Sequence, residues 1–360
     1  MEKHAEILPG WVMRSEFEFS VMKTYKTLCL LATLLLAQLI CPSFTYAAKG
    51  DDMLIYCFFR GNGENGVYLA ASEDGITFTP LNGDKPVMKP ASWKNQNLTR
   101  DPSIVFHEGT FHLVWTTGWN GNCFGYAESK DLVHWSEPLR VEPFQDGQKP
   151  NNAWAPEICW DPYQKDFMIF WSSVVPPNKS RIFMTRTKDG KTFSAATLFL
   201  SRDFHVIDGQ LLDDAPNNRW LLVYKNENPA AEGGKNIRLA TAPHDFSKPF
   251  VDLFDQAIVG AGTSIQGDQG EKSMGEGPSL AWWNNTYYLY WDAVLLGHYG
   301  LATSNDLKTW TDRTAELHMP PQPRHGTVFH APRSAVGWLN GSVPVANPAH
   351  NLRIQYARTP

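Results

Sequence analysis

Long apolar runs are almost missing from this 360-residue chain. The one present, residues 28–40 (LCLLATLLLAQLI), falls short of the roughly 20 residues a membrane-spanning helix needs. It follows a short basic head of Met22, Lys23 and Lys26 and precedes small-residue Thr45-Tyr46-Ala47. That pattern predicts a signal peptide within residues 1–47, cleaved near Ala47, and an exported (periplasmic or extracellular) protein. Glu2, Glu6, Glu16 and Glu18 suit a signal head poorly, so translation is expected to start at Met22. Bulky Leu39 and Ile40 argue against a lipoprotein through Cys41. Cysteine is scarce too. Past the leader only Cys57, Cys123 and Cys159 remain, which excludes a disulfide scaffold and leaves at most one bridge, with buried free thiols expected. CxxC and HExxH spacings are absent. Basic residues are not in excess, 32 against 37 acidic, so the net charge of −5 offers no footprint for nucleic acid and no attraction to an anionic membrane.

Aromatic residues are plentiful, 13 % of the chain with 14 Trp and 20 Phe, and they favour strands and platforms for sugar rings. They recur in a pattern of small residue, spacer, Asp, then an aromatic shortly after. The Asp residues are 74, 131, 189, 245 and 306, so the steps are 131−74 = 57, 189−131 = 58, 245−189 = 56 and 306−245 = 61. The copy at Asp245 is one residue longer. Asp accepting local backbone N–H groups, a small neighbour and a re-entering aromatic read as a turn between two strands.

A strand-like run precedes each turn, and four of the turns also have an acid-led strand and an aromatic strand upstream. Each unit is therefore four short antiparallel strands, one propeller blade. The first unit lacks its opening strand, and the missing piece appears as residues 325–330 at the other end. The expected fold is all-β, a five-bladed β-propeller over residues 50–338 closed by a C-terminal strand that completes the N-terminal blade. Residues 339–360 are expected to be a tail or edge strand.

The first strand of each blade lines the central channel. The opening positions, read as equivalent, are Asp101, Glu157, Asp208, Glu276 and His325. An isolated acid at a strand start is usually a turn residue. Four in a ring point to chemistry, because crowded like charges keep one carboxyl protonated, and a glycosidase needs one carboxylate and one carboxylic acid.

The order Asp101-Pro102, Trp154-Ala155-Pro156-Glu157, Ile207-Asp208 and Glu276-Gly277-Pro278 resembles glycoside hydrolase family 43, the five-bladed inverting arabinanases, arabinofuranosidases and xylosidases. The resemblance spans essentially the whole chain after the leader. It implies that Asp101 is the general base, Glu276 the general acid, and Asp208 the acid that tunes and orients the donor. It makes Arg238 the arginine near the acid. His325 becomes the central histidine that in some members sits beside a channel calcium or water. No cofactor is required by this reading, with a structural calcium near His325 left open. The chain departs from the family's pattern at Glu157, where Asp is common, and at Gly209, where Pro is common. Glu157 is left between ring spacing and a substrate hydroxyl contact.

Trp93, Trp119, Trp154 and Phe204 lie near the openings and could stack on sugar or pack in the blades. Trp119, in Gly118-Trp-Asn-Gly121, is favoured as exposed, with Trp154 next. Arg100 either binds a substrate hydroxyl or pairs with a neighbouring acid. The expected partner is an oligo- or polysaccharide substrate, with no nucleic acid and no stable membrane span, and the protein is expected to be a monomer. The expected activity is inverting hydrolysis of furanosidic or xylosidic linkages, including galactofuranosides. A glycoside phosphorylase, a retaining fructosidase-type propeller and a non-catalytic glycan-binding propeller are the competing classes. The Asn-Asp-Pro-Asn-Gly stretch of the fructosidase type is absent.

Overall fold

Each repeated turn is closed by its own aspartate. Oδ1 of Asp74 accepts N–H of Ile76 and Thr77, both at 2.7 Å, and the Ser72 hydroxyl at 2.9 Å. Asp131, Asp189 and Asp306 do the same with the two amides that follow. Asp245, in the longer copy, accepts the Ser247 amide, at 2.9 Å. In the computed structural model, which describes residues 52–336 and 339 except 146, 261–262, 264 and 266–274, these turns join the third and fourth strands of five blades. The expected leader and residues 340–360 lie outside the described residues.

The innermost strands are β4 (Arg100–His107), β8 (Trp154–Asp161), β12 (Val206–Asp214), β16 (Gly275–Trp283) and β20 (Arg324–Pro332). Second strands are β1 (Asp52–Phe59), β5 (Thr110–Thr116), β9 (Asp166–Ser173), β13 (Arg219–Asn226) and β17 (Thr286–Ala293). Third strands are β2 (Tyr68–Ser72), β6 (Phe124–Ser129), β10 (Arg181–Thr187), β14 (Asn236–Pro243) and β18 (His298–Ser304). The fourth, β3 (Thr79–Pro80), β7 (Leu139–Val141), β11 (Thr197–Leu200), β15 (Val251–Asp252) and β19 (Thr311–Asp312), are short. All pairings are antiparallel, and β20 pairs with β1, so the last strand completes the first blade. That closure gives the first blade the same four strands as the others. Among the described residues no helix is long and apolar enough to cross a membrane. The three cysteines are free thiols.

One irregularity recurs at the top of every innermost strand. Two residues there oppose one on the second strand, a β-bulge. The pairs are Asp101-Pro102 opposite Trp115, Ala155-Pro156 opposite Trp171 and Asp208-Gly209 opposite Tyr224. Gly277-Pro278 stands opposite Trp291, and His325-Gly326 opposite Phe58. The opposing residue is a fully buried aromatic in all five blades. In four blades its ring lies against the third strand: Trp115 at Gly125, Trp291 at Gly300, Trp171 stacked on Phe183 and Phe58 on Tyr68. In two blades the third-strand residue it rests on is glycine. A Cβ on Gly125 would lie 2.0 Å from the Trp115 ring, and one on Gly300 2.0 Å from that of Trp291.

Gly300→Ala therefore overpacks a rigid contact and is expected to cost about 1–3 kcal/mol. A lower midpoint in denaturant-induced unfolding would show it, whereas an unchanged midpoint would mean the ring can slide off.

Candidate active site

The bulge residue that comes first has positive φ in four blades: Asp101 at 49°, Ala155 at 46°, Asp208 at 54° and Gly277 at 51°. Aspartate tolerates this left-handed conformation better than most side chains. Asp101 and Asp208 therefore satisfy the backbone and present a carboxylate at the same height.

The register corrects the reading of five equivalent positions. Asp101, Asp208 and His325 are equivalent, together with Ala155 and Gly277. Glu276 lies one residue earlier, level with Arg100, Trp154, Ile207 and Arg324. Glu157 lies two residues further along its strand, level with Ser103, Gln210, Ser279 and Thr327. The acids are not the marks that align the blades. The Pro or Gly in second place of each bulge is: Pro102, Pro156, Gly209, Pro278 and Gly326.

Asp208 and Glu276 stand on neighbouring blades, those of β12 and β16. Asp101, on the blade of β4, neighbours neither. His325, on β20 between the blades of Glu276 and Asp101, bridges them. Its Nδ1 lies 3.5 Å from Asp101 Oδ1, and its ring lies so close to Gly277 that a Cβ there would sit 2.2 Å from Cδ2. Burial alone would strip the imidazole of its proton. The combined field of Asp208, Asp101, Glu157 and Asp292 outweighs this and raises its pKa.

The pair on the other side is asymmetric. Burial pushes Asp208 up to about 6, with Glu276 and Asp101 adding to it and His325 and Lys225 opposing. Burial also pushes on Glu276, but Lys225 above all, then His325 and Arg324, bring its pKa below the ordinary value. Lys225 Nζ lies 2.8 Å from Glu276 Oε1, and its side chain is fully buried. Asp208 Oδ2 accepts the Gly277 amide at 3.1 Å. The two carboxyls are thus shifted in opposite directions, Asp208 upward and Glu276 downward, and the Glu276 side chain is the more open, at 25 % exposed.

Glu157 lies in the floor beneath. It accepts the Ser103 hydroxyl at 2.7 Å on one oxygen and the Thr327 hydroxyl at 2.5 Å on the other. It thus ties together the blades of β4, β8 and β20 across the channel. Burial pushes it up to about 7 despite those two hydroxyls. Both oxygens are spent on protein, so its place is structural rather than at a sugar hydroxyl.

Arg238 is not beside the acids. It sits on the third strand opposite Tyr224, in the slot that Gly125 and Gly300 fill elsewhere, and bonds Asp252 and the Asp255 carbonyl. The cations beside Glu276 are Lys225 and Arg324, the latter 2.8 Å from Asp292. Sequence reasoning missed Lys225, Arg324 and Asp292. A usable signal was there: Lys225 and Asp292 each directly follow the bulge-covering aromatic and close an otherwise apolar strand.

The rim on the Asp101 side is aromatic. Arg100 is stacked between Phe59 and Trp119, at 4.8 and 4.1 Å, and bonds Asn62 Oδ1 at 2.9 Å. Trp119 donates to the same oxygen, and its carbonyl accepts Trp154 Nε1 at 2.8 Å. Trp119 remains 51 % exposed, as expected. Trp93 stacks on Trp115 and Phe204 on Tyr224, so both serve blade packing. Among the described residues no group of three or more His, Cys, Asp or Glu converges on one point, and the polar contact of the His325 ring is with Asp101.

A propeller mouth with two acids side by side, a third across from them and an aromatic rim is the equipment of a glycoside-cleaving enzyme. A family profile described as "Probable glycosyl hydrolase domain", related to family 43, matches residues 52–334, and the chain belongs to that family of glycoside hydrolases. Among solved structures it is similar to a thermostable family-43 glycoside hydrolase, with 18 % identity over 63 % of this chain and 78 % of that one, and a TM-score of 0.50. It is also similar to an endo-arabinase from Bacteroides thetaiotaomicron (18 % identity, 62 % and 82 % covered, TM-score 0.48). A Coprinopsis cinerea family-62 α-L-arabinofuranosidase aligns at 15 % identity, with 67 % and 75 % covered and a TM-score of 0.48. No curated protein sequence matches the chain.

Glu157→Gln turns an amide NH2 towards one of the two floor hydroxyls, which loses its acceptor, and is expected to cost about 1–3 kcal/mol. Because the folded pKa of Glu157 is raised, its titration favours the fold at acidic pH, and that contribution is lost as pH rises from about 4.5 through about 7. Thermal unfolding across pH 4.5–8 should therefore show the variant's deficit largest at the acidic end and shrinking towards neutrality.

Proposed function

We propose that the protein is an inverting glycoside hydrolase acting on furanosidic or xylosidic linkages, exported after removal of the leader. The observation that carries the inverting reading is the placement of Asp208 and Glu276 on adjacent blades with Asp101 across the mouth from them. A carboxylate facing a proton-holding pair is what single displacement by water requires. Asp101 takes a proton from water, and His325 keeps that carboxylate beside a positive charge. The Asp208–Glu276 pair supplies a proton to the leaving oxygen through Glu276, its more open member. Asp208, raised to about 6 by burial and by the charge of Glu276, is anchored by the Gly277 amide beside the donor.

The aromatic rim supports a sugar bound with one apolar face against Trp119 and its polar edge towards the acids. Arg100 is then part of the wall, because its guanidinium is occupied by Asn62 and two rings. The family resemblance supports arabinofuranose, xylose or galactofuranose as the sugar cleaved. A phosphorylase would need free cations at the mouth, but Lys225 and Arg324 are each bonded to carboxylates. Export is supported by the basic head, apolar core and small-residue site within residues 22–47.

A panel of aryl glycosides of these sugars, followed by proton NMR of the first anomer released, tests both substrate class and stereochemistry. Inverted product is expected, and retained product would overturn the water-activating role of Asp101. Asp101→Asn and Glu276→Gln should each lower kcat by about 10²–10⁴-fold with the fold intact. Trp119→Ala should chiefly raise KM, and unchanged KM would remove the stacking role.

A further inference from the structure

Every blade has a slot on the second strand, directly after the aromatic opposite the bulge, and in β1 it holds Phe59. In β5, β9 and β17 it holds Thr116, Ser172 and Asp292, and each accepts the bulge amide of the next blade. Ala155 N–H reaches Thr116 Oγ1 at 2.8 Å, Asp208 N–H reaches Ser172 Oγ at 3.0 Å, and His325 N–H reaches Asp292 Oδ2 at 3.1 Å. In β13 the slot holds Lys225, which has no acceptor to offer. The next bulge amide, that of Gly277, turns to Asp208 Oδ2 instead. This exchange costs the fold a neutral inter-blade bond and places a fully buried ammonium between two glutamates, 2.8 Å from Glu276 Oε1 and 2.7 Å from Glu227 Oε2. Glu227 is bonded in turn by Lys235. A lone buried cation is costly, and here three carboxylates, Glu276, Glu227 and Asp208, hold it charged.

We propose that Lys225 is a positioning residue for proton donation: clamped by Glu227, it fixes Oε1 of Glu276 and leaves Oε2 as the oxygen that faces the glycosidic bond. This rests on Glu276 being the donor. The charged groups facing Glu276 are Lys225 from β13, Asp208 from β12, Arg324 and His325 from β20, and Asp292 opposite it on β17. Of the cations among them, Lys225 alone is bonded to it. The clamp therefore also sets the pH above which the donor is spent, since a positive neighbour lowers a carboxyl's pKa.

The test uses the full-length protein and the aryl glycoside that it hydrolyses in the panel above. Lys225→Met keeps the length of the stem without the charge. Its kcat should fall at least about tenfold with little change in KM, and the alkaline limb of kcat/KM should move up by about 1 pH unit or more. Lys225→Arg should restore the limb towards its original position. Glu227→Gln, a milder and more exposed change, should move the limb the other way, because it removes negative charge from beside the clamp. A uniform loss of activity with an unmoved limb in either folded variant overturns the proposal and leaves Lys225 a purely structural ion. Should Lys225→Met fail to fold, the Glu227→Gln limb decides alone. Glu276→Gln, assayed in parallel on good and poor leaving groups, separates the two ideas. If its loss is no greater on poor leaving groups, the donor assignment itself fails, whatever Lys225 does.

Discussion

A β-bulge at the mouth end of every innermost strand is the constraint on which the rest of the molecule depends. Inserting two residues opposite one frees an amide, bends the strand and opens the ladder. The freed amide needs an acceptor, the opened ladder needs a cover, and the bent backbone needs residues that accept positive φ. In four blades a hydroxyl or carboxylate from the preceding blade takes the amide, in all five a buried aromatic stands opposite, and positive φ is taken by Asp101, Asp208, Gly277 and Ala155. Those repairs are also the site. Asp101 and Asp208 are bulge residues, Asp208 and Asp292 are acceptors for bulge amides, and the ring of His325 rests on a bulge glycine.

Below the bulges, Glu157 shows how the same ring is tied across its axis. Two hydroxyls from two other blades close on one carboxylate, giving a cross-link that no pair of neighbouring sheets could make. Charge is distributed with the same economy. Burial raises Asp208 and Glu157, whereas Lys225 and Arg324 hold Glu276 down. Three carboxyls within one mouth are thus kept in different protonation tendencies by their immediate neighbours, which is what acid–base chemistry at a single pH requires.

Much of the fold was legible in the sequence. Five Asp turns at steps of 56 to 61 residues counted the blades, and a surplus C-terminal strand matched a deficit at the N-terminus. The turns were readable because each is closed by its own side chain, a local event that spacing records. The site was partly legible. The structure brings Asp101, Asp208, Glu276 and His325 to one mouth, but Glu276 and Glu157 were both read as level with the other three, because a bulge shifts register in a way that aligning acids on acids hides. Arg238 was placed beside Glu276 by resemblance, while the structure gives that place to Lys225 and Arg324. Their charges meet Glu276 only across blades, and no local pattern carries such a contact.

The sequence by itself determined the architecture and the supply of acids, because hydrophobic periodicity and self-closing turns act over a few residues at a time. Only the tertiary structure decided which acid adjoins which, which one lies in the floor, and which cation faces the proton donor. Those relations join residues 51 to 170 positions apart. They depend on where a bulge sets the height of each strand and on how the ring brings non-neighbouring blades face to face.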